Sequence, residues 1–276
     1  MEEKKLLDKV VWSPSTLCNQ NCDFCYGYEG EIIHAPKTYL EMLDKLRELG
    51  ATKFIWSGGE PLKFALLDEL VGAANENDIR NVIVTNGRDL TPERIKNFDG
   101  KAQEIRISIH SLDPEVNARH GISHKGERLG QYESRILENL HNSKGHGFDL
   151  ATTTTYLGQS ESDLEKLAEQ FARAGVTEWT FQEMSRIRGA ATSKEITWTA
   201  HDIHKAIKRL NTLGYPMRIS LNTEDRLNNE YEIVDPLGQL TAVRGGRDIV
   251  LGNLATDGAK KLQEALREVK EPSLEK

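Results

Sequence analysis

Two spacings of apolar residues alternate along the chain. Short runs rich in β-branched and aromatic residues, such as Lys53-Phe54-Ile55-Trp56, precede longer segments in which apolar residues recur every three or four positions, such as Tyr39 to Leu49. The first spacing is typical of buried strands and the second of amphipathic helices. Strands are predicted at 10–12, 53–56, 81–84, 104–110, 149–156 and 178–184, and helices at 39–49, 64–74, 129–142, 162–174 and 200–213.

This alternation predicts an α/β fold with a parallel sheet. Six strand–helix units are two fewer than a closed eight-fold barrel contains, so we expect an open, partial (β/α)6 barrel over residues 1–215, with ligands at the carboxyl ends of its strands. From residue 216 the pattern changes to short β-prone pieces, at 218–221, 230–234, 240–243 and 249–251, and a charged helix at 259–270. Residues 216–276 are therefore predicted to form a small C-terminal α+β cap on the barrel's opening.

Charge and composition narrow the class of protein. The chain has 276 residues, 38% of them hydrophobic, with a formal net charge of −7 and a pI near 5.7. An acidic average argues against a protein that gathers phosphate backbones, so we expect no nucleic-acid partner. The charged start, Met1 to Lys5, runs into Leu6 without a long apolar stretch. We therefore expect a cytoplasmic protein with neither a secretory signal nor a membrane partner.

The three cysteines of the chain form one C-x3-C-x2-C run, made of Cys18, Cys22 and Cys25. Thiolates are the ligands of iron–sulfur clusters, and three of them leave one iron open for chemistry. They are too close together to be a sensible disulfide framework, which fits a reducing compartment. Three cysteines with a histidine, of which His34 is the nearest beyond the loop, are also a structural zinc arrangement, although this spacing is unusual for zinc.

A second motif follows one strand–helix unit later: Ser57-Gly58-Gly59-Glu60-Pro61. Together with the cysteine run, and with Phe24 directly before the third cysteine, it resembles the motifs of the radical S-adenosylmethionine (SAM) superfamily. The resemblance implies a [4Fe–4S] cluster held by Cys18, Cys22 and Cys25, with SAM bound to the fourth iron. It also implies an external one-electron donor such as flavodoxin or ferredoxin, and a 5′-deoxyadenosyl radical that takes a hydrogen atom from a small-molecule or peptide substrate.

The resemblance also assigns cofactor-binding residues. In the family, the residue at the position of Phe24 packs on the adenine, and the motif from Ser57 to Pro61 lies beside SAM. Glycine lets backbone approach a ligand closely, Glu60 is able to accept hydrogen bonds from an ammonium, and Pro61 suits the first position of a helix. Asn86 and Ser108, at the ends of the third and fourth strands, are further candidates. The structural alternatives are a hydrophobic wall at Phe24, a capped glycine turn at the motif, and core polar residues satisfied by backbone.

The reaction is less defined than the cofactor. All cysteines belong to one run, so no cysteine-ligated auxiliary cluster of the SPASM type is expected, and redox-neutral rearrangement, elimination or bond formation is favoured. We expect a role in natural-product, cofactor or peptide-modification biosynthesis. The alternatives are a viperin-like nucleotide dehydratase, faintly resembled at 113–117 and 179–182, and, outside enzymes, an iron–sulfur redox sensor or a zinc-stabilised interaction protein.

No catalytic residue is identified. His110, His120 and His124 lie around the loop after the fourth strand, and the run 184–191 resembles the end of the sixth strand in many family members.

Overall fold

The computed structural model describes residues 6–25, 27, 28, 30–123, 127–183, 198–223 and 231–270. Its strands are β1 (Lys9–Trp12), β2 (Lys53–Trp56), β3 (Arg80–Thr85), β4 (Glu104–Ser108), β5 (Asp149–Thr155), β6 (Glu178–Gln182), β7 (Arg218–Asn222), β8 (Tyr231–Val234), β9 (Gln239–Arg244) and β10 (Arg247–Asn253). Its helices are α1 (Pro36–Glu48), α2 (Leu67–Glu76), α3 (Pro92–Phe98), α4 (Pro114–Arg119), α5 (Gln131–Asn142), α6 (Glu161–Ala174), α7 (Ala200–Thr212) and α8 (Ala259–Lys270). The predicted strands and helices are confirmed, with small shifts of their ends.

The chain forms two compact units. The first contains Met1–Leu17, Tyr28–Ile83 and Asn228–Lys276, and the second contains Cys18–Gly27 and Val84–Leu227. The boundary after Ile83 falls inside β3, whose last residues belong to the second unit.

In the first unit the strand order is β10-β9-β8-β1-β2-β3. β1 pairs in parallel with both β2 and β8, while β9 is antiparallel to β8 and to β10. The core contains Trp12 and Trp56, which are fully buried and stack with ring centroids 5.0 Å apart. Helix α1 begins after Ala35 with proline at its first position, where the missing N–H costs nothing.

In the second unit the order is β4-β5-β6-β7, and all pairs are parallel. Successive side chains of these strands point to opposite faces of the sheet, one apolar and one polar. On one face Ile105, Ile107, Trp179 and Phe181 are fully buried. On the other face the polar side chain of Arg106 bridges to β6, where it pairs with Glu178 at 3.0 Å. This polar face distinguishes β4 and β6 from uniformly apolar parallel strands.

The C-terminal segment is the part of the chain that is predicted to form the cap. Its β-prone pieces form strands. β7 pairs in parallel with β6, and β8 pairs in parallel with β1, so each of these strands extends the parallel part of the sheet in its own unit. The reason is that the pieces carry buried apolar residues, such as Ile233 and Val234, which a strand position inside a sheet covers. The domain limits at 215 and 216 stay a prediction. In the described part of the chain no helix is long and apolar enough to cross a bilayer.

Candidate active site

The cysteine loop, residues 18–25, lies in the second unit. Cys18 and Cys25 are exposed, Cys22 is half-buried, and none forms a disulfide. The Cys25 N–H donates to the Cys22 carbonyl (3.1 Å), which closes a tight turn between the second and third cysteines. Burial, with the neighbouring thiols of Cys25 and Cys18 adding to it, raises the pKa of Cys22 to about 12. The pKa of Cys25 is raised as well, because its sulfur is partly desolvated although the residue as a whole is exposed. These thiols thus become thiolates only when a cation compensates their charge.

This donor set fits an iron–sulfur cluster. Across the described ranges, no three His, Cys, Asp or Glu side chains converge on a position for one metal ion. A cubane cluster does not require such convergence, because each thiolate binds its own iron. A single zinc ion requires four donors around one point, and the zinc alternative stays untested.

The loop is held on one side by the turn that follows β3. The Asn86 Nδ2 donates to Asn19 Oδ1 at 2.7 Å and lies 4.0 Å from the Cys18 sulfur. The Asn19 amide in turn donates to Asp89 (3.0 Å), and the Arg88 guanidinium reaches the Asn19 carbonyl (3.4 Å). Asn86, predicted to touch SAM, is therefore placed against the residues that begin the cysteine loop.

On its other side the loop is held by the turn that follows α4. The Asn21 N–H donates to the Gly121 carbonyl (3.0 Å), and the Asp23 N–H donates to the His120 carbonyl (3.2 Å). The Asp23 carboxylate also lies 3.0 Å from Nδ1 of His120. Gly121 has φ of +67°, and a Cβ on it would lie 2.1 Å from the Asn21 carbonyl oxygen. Glycine is required here by both conformation and space.

Phe24 packs between two histidines. Its ring centroid lies 5.0 Å from that of His110, edge to face, and 6.4 Å from that of His120. His110 is buried, its Nδ1 accepts the Thr155 N–H at 3.0 Å, and burial lowers its pKa to about 4. The imidazole is therefore neutral at pH 7 and carries its proton on Nε2. The two histidines, which the sequence placed near the site without a role, thus support Phe24. His124 lies outside the described residues.

The motif from Ser57 to Pro61 lies in the first unit. The Gly59 N–H donates to the Ser15 carbonyl (2.9 Å) and the Glu60 N–H to the Leu17 carbonyl (2.7 Å). A Cβ on Gly59 would lie 2.3 Å from the Leu17 oxygen, so this glycine is explained by contact with the backbone that directly precedes Cys18. The buried Glu60 carboxylate accepts the Leu62 N–H at 3.0 Å, which caps a short 3-10 turn that starts at Pro61 as predicted.

The assignment of this motif to SAM stays a prediction, as does that of Phe24, Asn86 and Ser108. Ser108 is half-buried at the end of β4, on the same face as Arg106. It alternates with the fully buried Ile107 and Ile109, which lie on the opposite face. The run 184–191 lies outside the described residues.

A cavity of about 680 Å³ adjoins the cysteine loop within the second unit. Residues of the loop form one wall, and α4 with the segment leading into α5 forms the rest; the lining residues are Cys18, Asn19, Gln20, Asn21, Pro114, Ala118, Gly121, Ser123, Glu127, Arg128, Leu129, Gly130 and Glu133. Such a volume suits a ligand of nucleotide size. Sequence reasoning missed Asn19, Arg88, Gly121 and this wall, because nothing in their local pattern marks a contact to a distant loop.

The carboxylates of the cavity wall are already engaged. Glu127 pairs with Arg88 at 2.7 Å and with Arg135 at 3.0 Å, and Glu133 accepts the Asn117 amide at 2.6 Å. Within the described residues, the guanidinium of Arg128 forms no ion pair or side-chain hydrogen bond. Arg128 thus offers the cavity a positive charge available to a ligand.

Comparison with known proteins identifies the family. The model of the radical SAM superfamily matches residues 12–171, which is more than half of the chain. The chain belongs to the radical SAM superfamily. It is therefore an enzyme that uses a [4Fe–4S] cluster and SAM, as the sequence predicted.

Two curated relatives share a name. The S-adenosylmethionine-dependent nucleotide dehydratase of Lacinutrix mariniflava is 26% identical over 239 residues, covering 83% of this chain and 48% of that protein. The protein of the same name from Flammeovirga pacifica is 22% identical over 270 residues, covering 93% of this chain and 88% of that protein. The chain thus spans about half the length of the first relative and most of the second.

Solved structures show the fold. Streptococcus suis SuiB bound to SAM superposes with a TM-score of 0.73 at 16% identity, over 91% of this chain and 64% of SuiB. SuiB bound to its precursor peptide SuiA gives a TM-score of 0.71 at 15% identity, over 84% of this chain and 58% of SuiB. The likeness confirms the predicted partial-barrel fold, a mostly parallel α/β sheet that does not close. Members of this superfamily act on small-molecule or peptide substrates. The electron donor, the cytoplasmic location and the absence of nucleic-acid and membrane partners stay predictions.

Proposed function

We propose that this radical SAM enzyme is a nucleotide dehydratase, which removes water from a nucleoside phosphate. The observation that carries the proposal is that the two curated relatives with this name align with 83% and 93% of the chain. Their agreement favours the nucleotide alternative over the first expectation from the sequence, a substrate of natural-product, cofactor or peptide-modification biosynthesis.

The cavity beside the cysteine loop supports a nucleotide substrate. Its volume of about 680 Å³ accommodates a nucleoside phosphate, and its wall begins at Cys18 itself. The charge of Glu127 is balanced by Arg88 and Arg135, and among the described residues Arg128 forms no ion pair with either Glu127 or Glu133. An arginine guanidinium donates paired hydrogen bonds to phosphate oxygens, and we assign Arg128 this role.

The residues of the chain supply binding, orientation and exclusion of water. Cys18, Cys22 and Cys25 would hold the cluster, and Phe24, fixed by His110 and His120, would present an aromatic face beside it. A cluster held there would supply the one-electron chemistry by which SAM serves as a source of hydrogen-abstracting radicals. Because the imidazole of His110 is neutral, it places no charge against Phe24. An uncharged surface around Phe24 would help to exclude water from the site.

The test is anaerobic reconstitution with iron and sulfide, followed by dithionite, SAM and each ribonucleoside triphosphate in turn. We expect 5′-deoxyadenosine together with a nucleotide product lighter by one water, detected by mass spectrometry. Cleavage of SAM that no nucleotide stimulates, with every nucleotide recovered unchanged, would refute the nucleotide substrate while leaving the superfamily chemistry intact.

Arg128→Ala tests the phosphate contact. Loss of charge-assisted hydrogen bonds worth about 1.5–3 kcal/mol is expected to raise KM for the nucleotide roughly 10- to 100-fold, with kcat changed less. Arg247→Ala, which removes an exposed arginine of β10, is the control and should leave KM unchanged. Equal KM values for the two variants would remove Arg128 from the substrate site.

A further inference from the structure

The amide of Asn86 reaches the first cysteine of the loop. Its Nδ2 donates to Asn19 Oδ1 at 2.7 Å and lies 4.0 Å from the Cys18 sulfur, at the outer limit of an N–H···S contact, while its Oδ1 accepts the Arg88 N–H at 3.0 Å. Both faces of the amide are thus engaged by this chain. These contacts point to a task for Asn86 within the cysteine loop, besides the SAM contact that stays a prediction.

The position of Asn86 is fixed by the turn that carries it. Asn86 is buried, and the next residue, Gly87, has φ of +73° and donates its N–H to the Thr85 hydroxyl at 2.9 Å. The Asn139 amide of α5 holds the Gly87 carbonyl at 2.8 Å. A donor held by such a turn keeps its distance to the sulfur without any bound ligand.

The network continues from the turn to the wall of the cavity. Arg88 contacts the Asn19 carbonyl and pairs with Glu127, and the side chains of Arg88 and Glu127 are only 13% and 8% exposed. Because this ion pair is largely shielded from water, it restrains Arg88 more firmly than a surface pair would. Glu127 lines the cavity, so one chain of contacts runs from Cys18 to the cavity wall.

We propose that Asn86 is a positioning residue that orients the Cys18 thiolate and, through an N–H···S hydrogen bond, sets the reduction potential of the cluster. Hydrogen bonds to cluster sulfurs stabilise the more negative, reduced state and so raise the potential. Without this donor the cluster is harder to reduce. The backbone N–H of Gln20 donates to the same sulfur at 3.4 Å, and the two donors together define the orientation of Cys18.

The experiment is a redox titration of the reconstituted enzyme, followed by electron paramagnetic resonance, in the absence of SAM and substrate. Asn86→Leu keeps the approximate volume and removes the amide. We expect its potential to fall by about 59 mV, which is a tenfold change in the equilibrium of a one-electron couple. Asn86→Ser, which retains a hydroxyl donor, should recover part of the difference.

Asn139→Leu is the matched control, because it removes an amide of α5 that holds the same turn at Gly87 but makes no contact with sulfur. If both leucine variants shift the potential equally, the effect belongs to the turn and the proposal fails. It also fails if Asn86→Leu keeps the wild-type potential in the SAM-free enzyme but weakens SAM binding, since Asn86 is then a SAM ligand. No nucleotide is present in this titration, so its outcome is independent of the proposed substrate.

Discussion

The contact between Gly121 and the cysteine loop predicts that one methyl group on Gly121 weakens assembly of the cluster. In Gly121→Ala the new Cβ would lie 2.1 Å from the Asn21 carbonyl oxygen and 2.9 Å from its carbon, distances that backbone atoms do not tolerate. The loop must move away, which breaks the hydrogen bond from the Asn21 N–H to the Gly121 carbonyl. The methyl therefore acts on the residue next to Cys22.

The magnitude follows from two contributions. An alanine at φ of +67° costs about 1–2 kcal/mol, and the lost hydrogen bond costs about 1 kcal/mol more, so we expect a loss of roughly 2–3 kcal/mol in the free energy of unfolding. Gly214 provides the matched control. Its φ is +69°, and a Cβ there meets nothing within 4 Å, so Gly214→Ala isolates the conformational cost.

The assay measures urea unfolding of the metal-free protein and iron content after anaerobic reconstitution. Gly121→Ala is expected to unfold at lower urea than Gly214→Ala and to retain several-fold less iron, whereas Gly214→Ala should load iron as the wild type does. If the two variants unfold at the same urea concentration and bind equal iron, the turn after α4 does not hold the cysteine loop.

Three further predictions each concern the substitution of a single residue. The pKa of His110 is about 4 in the folded protein against about 6.5 when unfolded, so the unfolded chain binds the proton first and stability falls as the pH drops from 6.5 towards 4. From pH 7 to pH 5 the loss is about 2 kcal/mol in urea unfolding, and His110→Gln should remove it; an unchanged slope would contradict a buried neutral imidazole. Gly59→Ala, whose Cβ would lie 2.3 Å from the Leu17 oxygen, should reduce iron content after reconstitution, and wild-type iron content would refute this. Gly72→Ala, in α2 with open space around it, should instead raise the free energy of unfolding by up to about 1 kcal/mol, and a decrease would show an unrecognised contact.

Periodicity predicted most of the fold because long segments repeat their pattern several times. Helices α3 and α4 were missed, since seven and six residues complete too few turns for a period of 3.6 to emerge. The C-terminal strands were found, but not their partners: the β propensity of 218–221 does not reveal that β6 is its neighbour.

The candidate site, like the fold, has one part that the local sequence predicts and another part that it does not. The three candidate ligands, Cys18, Cys22 and Cys25, could be selected from the sequence because they are close together and chemically distinctive; that they hold the cluster stays a prediction. The residues that hold their loop were not, because Asn86 and Arg88 contact Asn19 across nearly 70 positions, and Gly121 contacts Asn21 across 100. Such contacts depend on where the turns after β3 and α4 meet the loop, and an asparagine or glycine in a turn has many other uses.

These contacts have a thermodynamic consequence for cluster binding. The cysteine loop is hydrogen-bonded at Asn19, Asn21 and Asp23 by the fold of the second unit itself. Fixing the backbone of one residue costs about 1–2 kcal/mol, so a loop that is ordered before iron arrives spares the cluster much of that cost. In a classical zinc finger, by contrast, the metal orders the chain and the metal-free form is unfolded. The metal-free enzyme should therefore remain folded, and weakening either turn should lower cluster affinity before it lowers helix content.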